Sequence, residues 1–206
     1  KNIKNLKNFN SLDEITFDKN VQGVIIATPP NSHFELAKYF IKKRIPVLVE
    51  KPVCLNLKDT NTLYKLSIKF KTKICVGHLL FFHPAIEKIN EIINKNIIGK
   101  IKYIESNRLN LGRIRDYEDI LWSFAPHDIS IIDNLTKNKK ILEIKCVGNK
   151  INNAKIADIS TTIIKYSNIL AKISVSWLHY QKKHELFILG KNGMIVFDDI
   201  NTWDKK

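Results

Sequence analysis

Glu50 and Lys51 are an acid and a base that directly follow a short apolar run, residues 47–49, and directly precede Pro52. An apolar run without polar alternation is typical of a strand that is buried on both faces of a parallel sheet. Because proline disfavours helical geometry in the residue before it, we expect the chain to leave this strand extended. We therefore predict a carboxylate and an ammonium group at the carboxyl end of a parallel strand, where open α/β sheets bind ligands. The alternative for these residues alone is a surface ion pair before a turn.

A second segment has the same design. Apolar residues 24–26 run into Thr28, Pro29 and Pro30, and polar residues then begin a predicted helix. The carboxyl ends of neighbouring parallel strands meet at one edge of a sheet. The two segments together therefore predict a single site.

Arg residues are concentrated in one short segment. Three of the four lie within eight positions, at Arg108, Arg113 and Arg115, together with Asn110. Guanidinium groups can donate two parallel hydrogen bonds to phosphate or carboxylate oxygens, so the segment is a candidate for binding an anionic substrate. The alternative is a solvated strand and loop whose Arg side chains pair with the acidic residues among 116–119.

The net charge of +14 raises the question of nucleic-acid binding. Only four of the 34 basic residues are Arg, which is the usual reader of phosphates and bases. The Lys residues are spread through every predicted helix and strand instead of forming one stripe. We interpret the charge as compositional, and a basic nucleic-acid-binding protein is the third hypothesis.

Cysteine usage and hydropathy exclude other classes. Cys54, Cys75 and Cys146 are widely spaced and outside any C-x-x-C pattern, so we expect reduced, buried thiols and no metal site. No apolar run approaches the roughly 18–20 residues that span a bilayer, and no basic-then-apolar leader opens the sequence. These features predict a cytoplasmic protein that does not enter a membrane.

The pattern of predicted elements changes near Gly77 and His78. Before this point strands alternate with helices, which predicts the parallel, doubly wound sheet of a partial Rossmann-type α/β domain, residues 1–77. After it, closely spaced strands with short polar turns predict an α+β domain, residues 78–206, with a largely antiparallel open sheet. The predicted strands are 21–27, 46–49, 73–76, 100–109, 141–148, 156–166, 169–178, 183–190 and 193–198. The predicted helices are 11–18, 32–43, 58–69, 84–94 and 121–136.

In five segments the chain resembles the glucose–fructose oxidoreductase/inositol dehydrogenase (Gfo/Idh/MocA) family. These are ATPPNSH at 27–33, EKP at 50–52, VGHLLFFHPAI at 76–86, LWSFAPHDISII at 121–132 and SWL at 176–178. The RLNLGRIR segment at 108–115, with APHDIS and SWL, is most similar to the branch that acts on nucleotide-linked N-acetylated sugars. The resemblance implies hydride transfer between NAD or NADP and a hydroxyl of a sugar, cyclitol or nucleotide sugar. It also implies a homo-oligomer that forms through the open sheet of the second domain.

The resemblance also assigns roles to residues. Hydride transfer from a sugar carbinol needs a base for the hydroxyl proton and a cation near the developing alkoxide. Lys51 is implied as the cation and His127, whose imidazole titrates near neutral pH, as the base; from its sequence neighbours alone, His127 is equally a core or capping histidine. The implied cofactor-binding residues are Ala27, Thr28, Pro29, Asn31, His33, Glu50, Lys51, Pro52 and His78. The implied substrate-binding residues are Lys51, Arg108, Asn110, Arg113, Ser123 and His127.

Three positions depart from the family pattern. Ser123 stands where many members carry an acidic residue one helical turn before the histidine, and a hydroxyl cannot hold a negative charge. Tyr180 and His184 stand where the nucleotide-sugar branch usually has Pro and Arg. The serine argues against full activity, and the Tyr180 and His184 differences weaken the nucleotide-sugar assignment. A non-catalytic remnant or interaction fragment is therefore the competing hypothesis.

The seven Gly residues nowhere form G-x-G-x-x-G, the turn that lets a backbone approach a pyrophosphate. The resemblance places this turn well before residue 20, so we expect an internal piece of a longer protein; a short functional variant is the rival interpretation. We predict that the polypeptide of residues 1–206 binds NADH weakly or not at all. Calorimetric titration measures the dissociation constant, and a value in the low micromolar range would contradict the prediction.

Overall fold

The computed structural model describes residues 7–112, 118–137, 139–152 and 155–201. The chain divides into two compact units, Lys1–Gly77 and His78–Lys206. The helices are α1 (Leu12–Phe17), α2 (Pro30–Lys42), α3 (Leu57–Phe70), α4 (Pro84–Asn94) and α5 (Ile120–Thr136), with a 3-10 turn at Leu79–Phe82. The strands are β1 (Val24–Ile26), β2 (Val47–Val49), β3 (Ile74–Val76), β4 (Ile101–Leu111), β5 (Ile141–Asn149), β6 (Ile159–Tyr166), β7 (Leu170–Ser176), β8 (Leu178–Gly190) and β9 (Met194–Asp198).

The first unit contains a three-stranded parallel sheet in the order β1-β2-β3, which confirms the predicted parallel α/β piece. Its core joins the inward residues of the strands to buried side chains of α2 and α3, among them Phe40, Ile41 and Leu63. Helix α2 ends at Lys42, and α3 ends with Lys71 in the left-handed conformation that closes many helices. Because the three strands are parallel, the loops that follow them begin at the same edge of the sheet.

One face of this sheet is exposed, whereas the sequence predicted that the apolar runs are buried on both faces. Ile25, Leu48 and Cys75 lie opposite one another in the strand register. Ile25 is 70% exposed, whereas its neighbour Ile26 is 3% exposed. The reason is that successive strand residues point to opposite faces, and α2 and α3 pack against the face that carries Ile26 and Val49.

This difference predicts opposite effects for two adjacent substitutions. Ile25→Lys should change the free energy of unfolding by no more than about 0.5 kcal/mol, the usual range for an exposed site. It should also reduce self-association, because a charge on an exposed strand blocks pairing with other chains. Ile26→Lys should destabilise by more than about 2 kcal/mol, since it removes a buried side chain and buries a charge. Urea denaturation and sedimentation measure the two effects, and equal losses of stability would contradict the assignment of faces.

The second unit contains a six-stranded sheet in the order β5-β6-β7-β4-β8-β9. The pair β4–β7 is parallel and the other neighbouring pairs are antiparallel, which confirms a largely antiparallel sheet. Strands β7 and β8 follow each other in the chain but are separated in the sheet by β4. The sequence-based interpretation of simple hairpins is wrong at this point.

The interval between the predicted strands 169–178 and 183–190 lies inside β8. Pairing with β4 jumps from Leu109–Lys183 to Leu111–Leu178, so residues 179–182 form an irregularity within one long strand. Polar residues in sequence had suggested a turn, but a bulge accommodates the same residues without ending the strand.

One face of the larger sheet carries the core of the second unit. Ile86 and Ile89 of α4 and Ile131, Ile132 and Leu135 of α5 belong to one buried cluster with inward strand residues. Trp177 is almost completely buried, and its ring meets Phe124 of α5 edge to face. This packing fixes the position of α5, the helix that carries His127.

Two composition-based expectations can be compared with the structure. Cys54 is buried as expected, but Cys75 and Cys146 are exposed, because one lies on the uncovered face of the first sheet and the other on the exposed strand β5. Within the parts of the chain that the structure describes, no helix has both the length and the apolar character to cross a bilayer.

Candidate active site

The carboxyl ends of β1, β2 and β3 lie side by side. Beyond the strands themselves, the Glu50 N–H donates to the Ile26 carbonyl over 2.9 Å and the Gly77 N–H donates to the Val49 carbonyl over 2.7 Å. These bonds extend the parallel ladder by one residue and hold together the starts of the three following loops. The segments with Thr28 and Lys51 therefore leave the same edge of the sheet.

The Glu50 carboxylate packs over the backbone of Gly77. A Cβ atom added at Gly77 would lie only 3.1 Å from the Glu50 carboxyl carbon. The Lys51 N–H also donates to Glu50 Oε2 over 3.3 Å. Sequence reasoning did not assign a role to Gly77, although a glycine directly after an apolar strand is a signal of close approach. Its missing side chain leaves room for the carboxylate at the edge of the sheet.

Exposed polar groups line the turn from β1 into α2. Thr28, Pro29 and Asn31 are exposed, as is Ala27. Ser32 Oγ donates to the Pro29 carbonyl over 2.8 Å, and because this uses its only proton, Thr28 Oγ1 is the donor in the 2.6 Å contact with Ser32 Oγ. Ser32 is a residue that the sequence analysis missed, and it fixes the rotamer of Thr28 at the start of α2.

His33 occupies a different place from the one predicted. Its side chain is buried, with Nδ1 2.8 Å from the Pro52 carbonyl oxygen and Nε2 2.7 Å from the Thr28 carbonyl oxygen. Both ring nitrogens face the backbone, which leaves neither of them for the predicted cofactor contact. Pro52 is also buried and takes part through its carbonyl. His33 and Pro52 therefore stabilise the two loops from their buried side.

Lys51 and His78 follow β2 and β3. Lys51 is partly exposed, and its peptide bond with Pro52 is cis. His78 precedes the 3-10 turn and is partly buried, and this burial lowers the pKa of its imidazole. The lowered pKa favours the neutral ring at physiological pH. His78 can therefore contribute a neutral donor or acceptor to a ligand, but no charge.

Helix α5 carries the predicted base. His127 lies in this helix four residues after Ser123, so that both side chains project from one helical face. Ser123 is almost completely buried and His127 is partly exposed. Asp119 caps the helix by accepting from the Trp122 N–H over 2.9 Å. The Asp119 cap and the packing of α5 hold the helix, and with it the His127 backbone, in place within the second unit.

Arg108 contacts a protein carboxylate in the structure, whereas the sequence suggested a contact with a substrate phosphate. Its Nε and one terminal nitrogen donate to the two carboxylate oxygens of Asp128 over 3.0 and 3.1 Å. Ser106 Oγ donates to the same carboxylate over 2.7 Å. The side chains of Arg108 and Asp128 are only 12% and 4% exposed. The guanidinium fork is thus occupied by a buried carboxylate, and no local sequence pattern indicates the pairing, because the partners are 20 residues apart.

The remaining predicted substrate residues are only partly described. Asn110 is partly buried and follows Arg108 on β4, with its Oδ1 against Gly112. Arg113 and Arg115 lie outside the described residues. His184 pairs with Arg108 across β4 and β8; burial, and then the nearby guanidinium, lower the pKa of its imidazole. Among the described residues, no group of three or more His, Cys, Asp or Glu side chains is placed to hold a metal ion.

Comparison with known proteins identifies both units. A sequence model described as the oxidoreductase family with an NAD-binding Rossmann fold matches residues 2–78. A second model, the GFO/IDH/MocA C-terminal domain, matches residues 86–196, which is more than half of the chain.

Individual relatives match parts of their own length. An uncharacterised oxidoreductase of Synechocystis is 34% identical over 47% of this chain and 26% of the relative. UDP-N-acetylglucosamine 3-dehydrogenase of Acidithiobacillus ferrooxidans is 26% identical over 68% of this chain and 43% of the relative. These two relatives thus extend well beyond the region that they share with this chain.

Solved structures show the same fold. The crystal structure of that dehydrogenase superposes with a TM-score of 0.83, at 22% identity, over 93% of this chain and 62% of the other. An inositol dehydrogenase homologue of Azotobacter vinelandii, crystallised with NADH and myo-inositol, superposes with a TM-score of 0.82, at 17% identity, over 91% of this chain and 53% of the other. With family models matching both of its units, the chain belongs to the Gfo/Idh/MocA family of oxidoreductases.

Proposed function

We propose that the chain forms part of an NAD(P)-dependent dehydrogenase that transfers a hydride between the nicotinamide cofactor and a hydroxyl of a sugar, cyclitol or nucleotide-linked sugar. The observation that carries the proposal is the edge of the parallel sheet, where backbone hydrogen bonds hold Thr28, Glu50 and Lys51 at adjacent loop starts. Family membership supports the reaction class, and relatives named for UDP-N-acetylglucosamine and inositol support the substrate class.

The exposed groups of the first unit fit the ribose and phosphate portions of such a cofactor. The Glu50 carboxylate can accept hydrogen bonds from ribose hydroxyls, and the exposed Thr28 and Asn31 add neutral polar contacts. Helix α2 has 13 residues and no side-chain cap at Pro29, so its amino end suits a negatively charged group. When bound, the nicotinamide accepts or supplies the hydride.

In this proposal, two side chains handle the proton and the charge. The Lys51 ammonium donates a hydrogen bond to the substrate oxygen and stabilises the negative charge that develops there. The His127 imidazole takes the hydroxyl proton, for which a group titrating near neutral pH is suited. Asn110 offers neutral hydrogen bonds to sugar hydroxyls, and the buried Ser123 has a supporting place on the same face of α5 as His127. The Arg108 guanidinium contributes indirectly, through the position of Asp128 beside His127.

A homo-oligomer is proposed through the open face of the larger sheet. Ile163, Phe187 and Val196 lie on this face, and Ile163 and Val196 are exposed apolar residues. The same face carries the ion pair between Glu105 and Lys172 at 3.1 Å. A mixture of apolar and paired polar groups is common in protein interfaces. Sedimentation of the protein and of a Val196→Lys variant tests the surface.

The function is tested by following NADH production with NAD⁺ and a panel of UDP-N-acetylglucosamine, myo-inositol and free hexoses. Millimolar cofactor compensates for the weak binding expected of residues 1–206. We expect a sugar-dependent rate that is lost in Lys51→Ala and retained in Lys65→Ala, a matched variant on the exposed surface of α3. A rate that is equal in the two variants would contradict the proposal.

A further inference from the structure

His33 is a buried polar side chain that contacts both loops of the candidate site. Only 1% of its surface is exposed. Its two ring nitrogens reach two different loops, the Thr28 carbonyl after β1 and the Pro52 carbonyl after β2. The partners are five and 19 residues away in sequence, so the ring joins two loops that follow different strands.

Both partners of the ring are acceptors. A carbonyl oxygen only accepts, so each contact becomes a hydrogen bond when the facing nitrogen carries a proton. The neutral ring forms one of the two bonds, and the doubly protonated ring forms both. In each form the imidazole lies between the carbonyls and is held there by at least one hydrogen bond.

The ring closes a small loop of contacts around the site. On one side, the Glu50 N–H to Ile26 carbonyl bond ties the ends of the two strands together. On the other side, His33 ties Thr28 to Pro52. The first connection joins Ile26 to Glu50 and the second joins Thr28 to Pro52, so that Lys51 lies between the two connections. The two segments are therefore joined at two points, by a backbone hydrogen bond on one side and by the contacts of the His33 ring on the other.

We propose that His33 is a positioning residue, which sets the placement of Lys51 relative to the Thr28 turn by bridging the Thr28 and Pro52 carbonyls. The meaning of this placement for hydride transfer rests on the proposed function. The bridge itself is a property of the chain alone. A residue that binds cofactor would need an accessible ring nitrogen, and the burial of His33 does not provide one.

The bridge is tested by amide hydrogen exchange on the 206-residue chain without cofactor or substrate. His33→Leu should raise exchange by about tenfold in peptides that cover residues 27–29 and 51–53, the scale of one or two lost buried hydrogen bonds. Phe40→Leu is the matched control, because Phe40 is buried on the same helix and is not a partner of either carbonyl. It should raise exchange throughout the first unit with no preference for the two loops.

Chemical rescue separates the bridge from simple core packing. His33→Ala leaves space for a free imidazole, which should restore protection of the two loops, whereas apolar benzene should not. If His33→Leu fails to fold, His33→Gln keeps one amide donor and serves in the same comparison. A uniform rise that matches Phe40→Leu would overturn the proposal, as would equal rescue by imidazole and benzene. Because these measurements involve no turnover, a failed dehydrogenase assay would leave the bridge standing, and the reverse also holds.

Discussion

We expect replacement of Lys51 with Ala to lower kcat for the proposed sugar oxidation by about a hundredfold or more, the scale of a lost acid–base or charge-stabilising group. The substitution removes the ammonium that follows β2, at the edge where Glu50 and Thr28 also lie. Because the ammonium acts on charge that develops during the reaction, KM should change less than kcat. Steady-state kinetics on the protein measures both quantities. Lys65→Ala on α3 provides the control for a general loss of positive charge.

His127→Ala should produce a decrease of the same size. The imidazole is the proposed acceptor of the hydroxyl proton, and α5 contains no second histidine that could replace it. His127→Asn preserves a polar side chain of similar size but cannot take up the proton. Both variants should therefore lose turnover. Near-normal turnover in His127→Ala would instead support the core-histidine interpretation, and recovery in His127→Asn would support a role in hydrogen bonding alone.

Local sequence patterns were sufficient for the elements of the first unit. Apolar runs separated by helices with one apolar face predicted three parallel strands, and the observed strands lie within the predicted ranges. Burial was less predictable. The run at residues 24–26 is uniformly apolar, yet Ile25 is exposed, because apolar character does not reveal which face of a sheet the helices cover.

Strand pairing in the second unit depends on contacts that are distant in sequence. Short polar turns predicted that consecutive strands are neighbours, but β4 lies between β7 and β8 and pairs with both. The strands that meet in this arrangement share one buried cluster with α4 and α5. The periodicity of one segment carries no information about which strand will lie beside it.

In the candidate site, too, features set by local sequence were predicted and features set by distant contacts were not. The position of Lys51 after β2 follows from an apolar run and a proline, both of which act locally. The surroundings of His33 do not, because the burial of its ring depends on the carbonyl of Pro52 in another loop. Arg108 is a similar case, since the sequence suggests an anion but cannot identify a protein carboxylate as the one that is bound. The catalytic and ligand-binding assignments therefore stay predictions.

Arg108→Ala is expected to destabilise the second unit by about 3–5 kcal/mol, the usual cost of leaving one member of a buried ion pair without its partner. Asp128 accepts two hydrogen bonds from this guanidinium and is itself buried on α5, so truncation strands a carboxylate with only the Ser106 hydroxyl as a described donor. Arg108→Lys should lose part of this free energy, because an ammonium cannot reproduce the two parallel bonds. Chemical denaturation measures the free energy of unfolding.

The double variant Arg108→Met with Asp128→Leu distinguishes a buried pair from a ligand contact. Replacing both charges by apolar groups of similar size should recover most of the stability lost in Arg108→Ala, since neither charge then remains buried alone. In the same variant, turnover should stay low if the pair positions His127, because the polar anchor beside it is gone. A stable Arg108→Ala protein with a raised KM for a nucleotide sugar would contradict this account and restore the phosphate contact that the sequence suggested. The two donors of the Arg108 fork can bind the Asp128 carboxylate or a substrate anion, but they cannot bind both at the same time. Comparing the stability and the KM of these variants therefore shows whether Arg108 serves the fold or substrate binding.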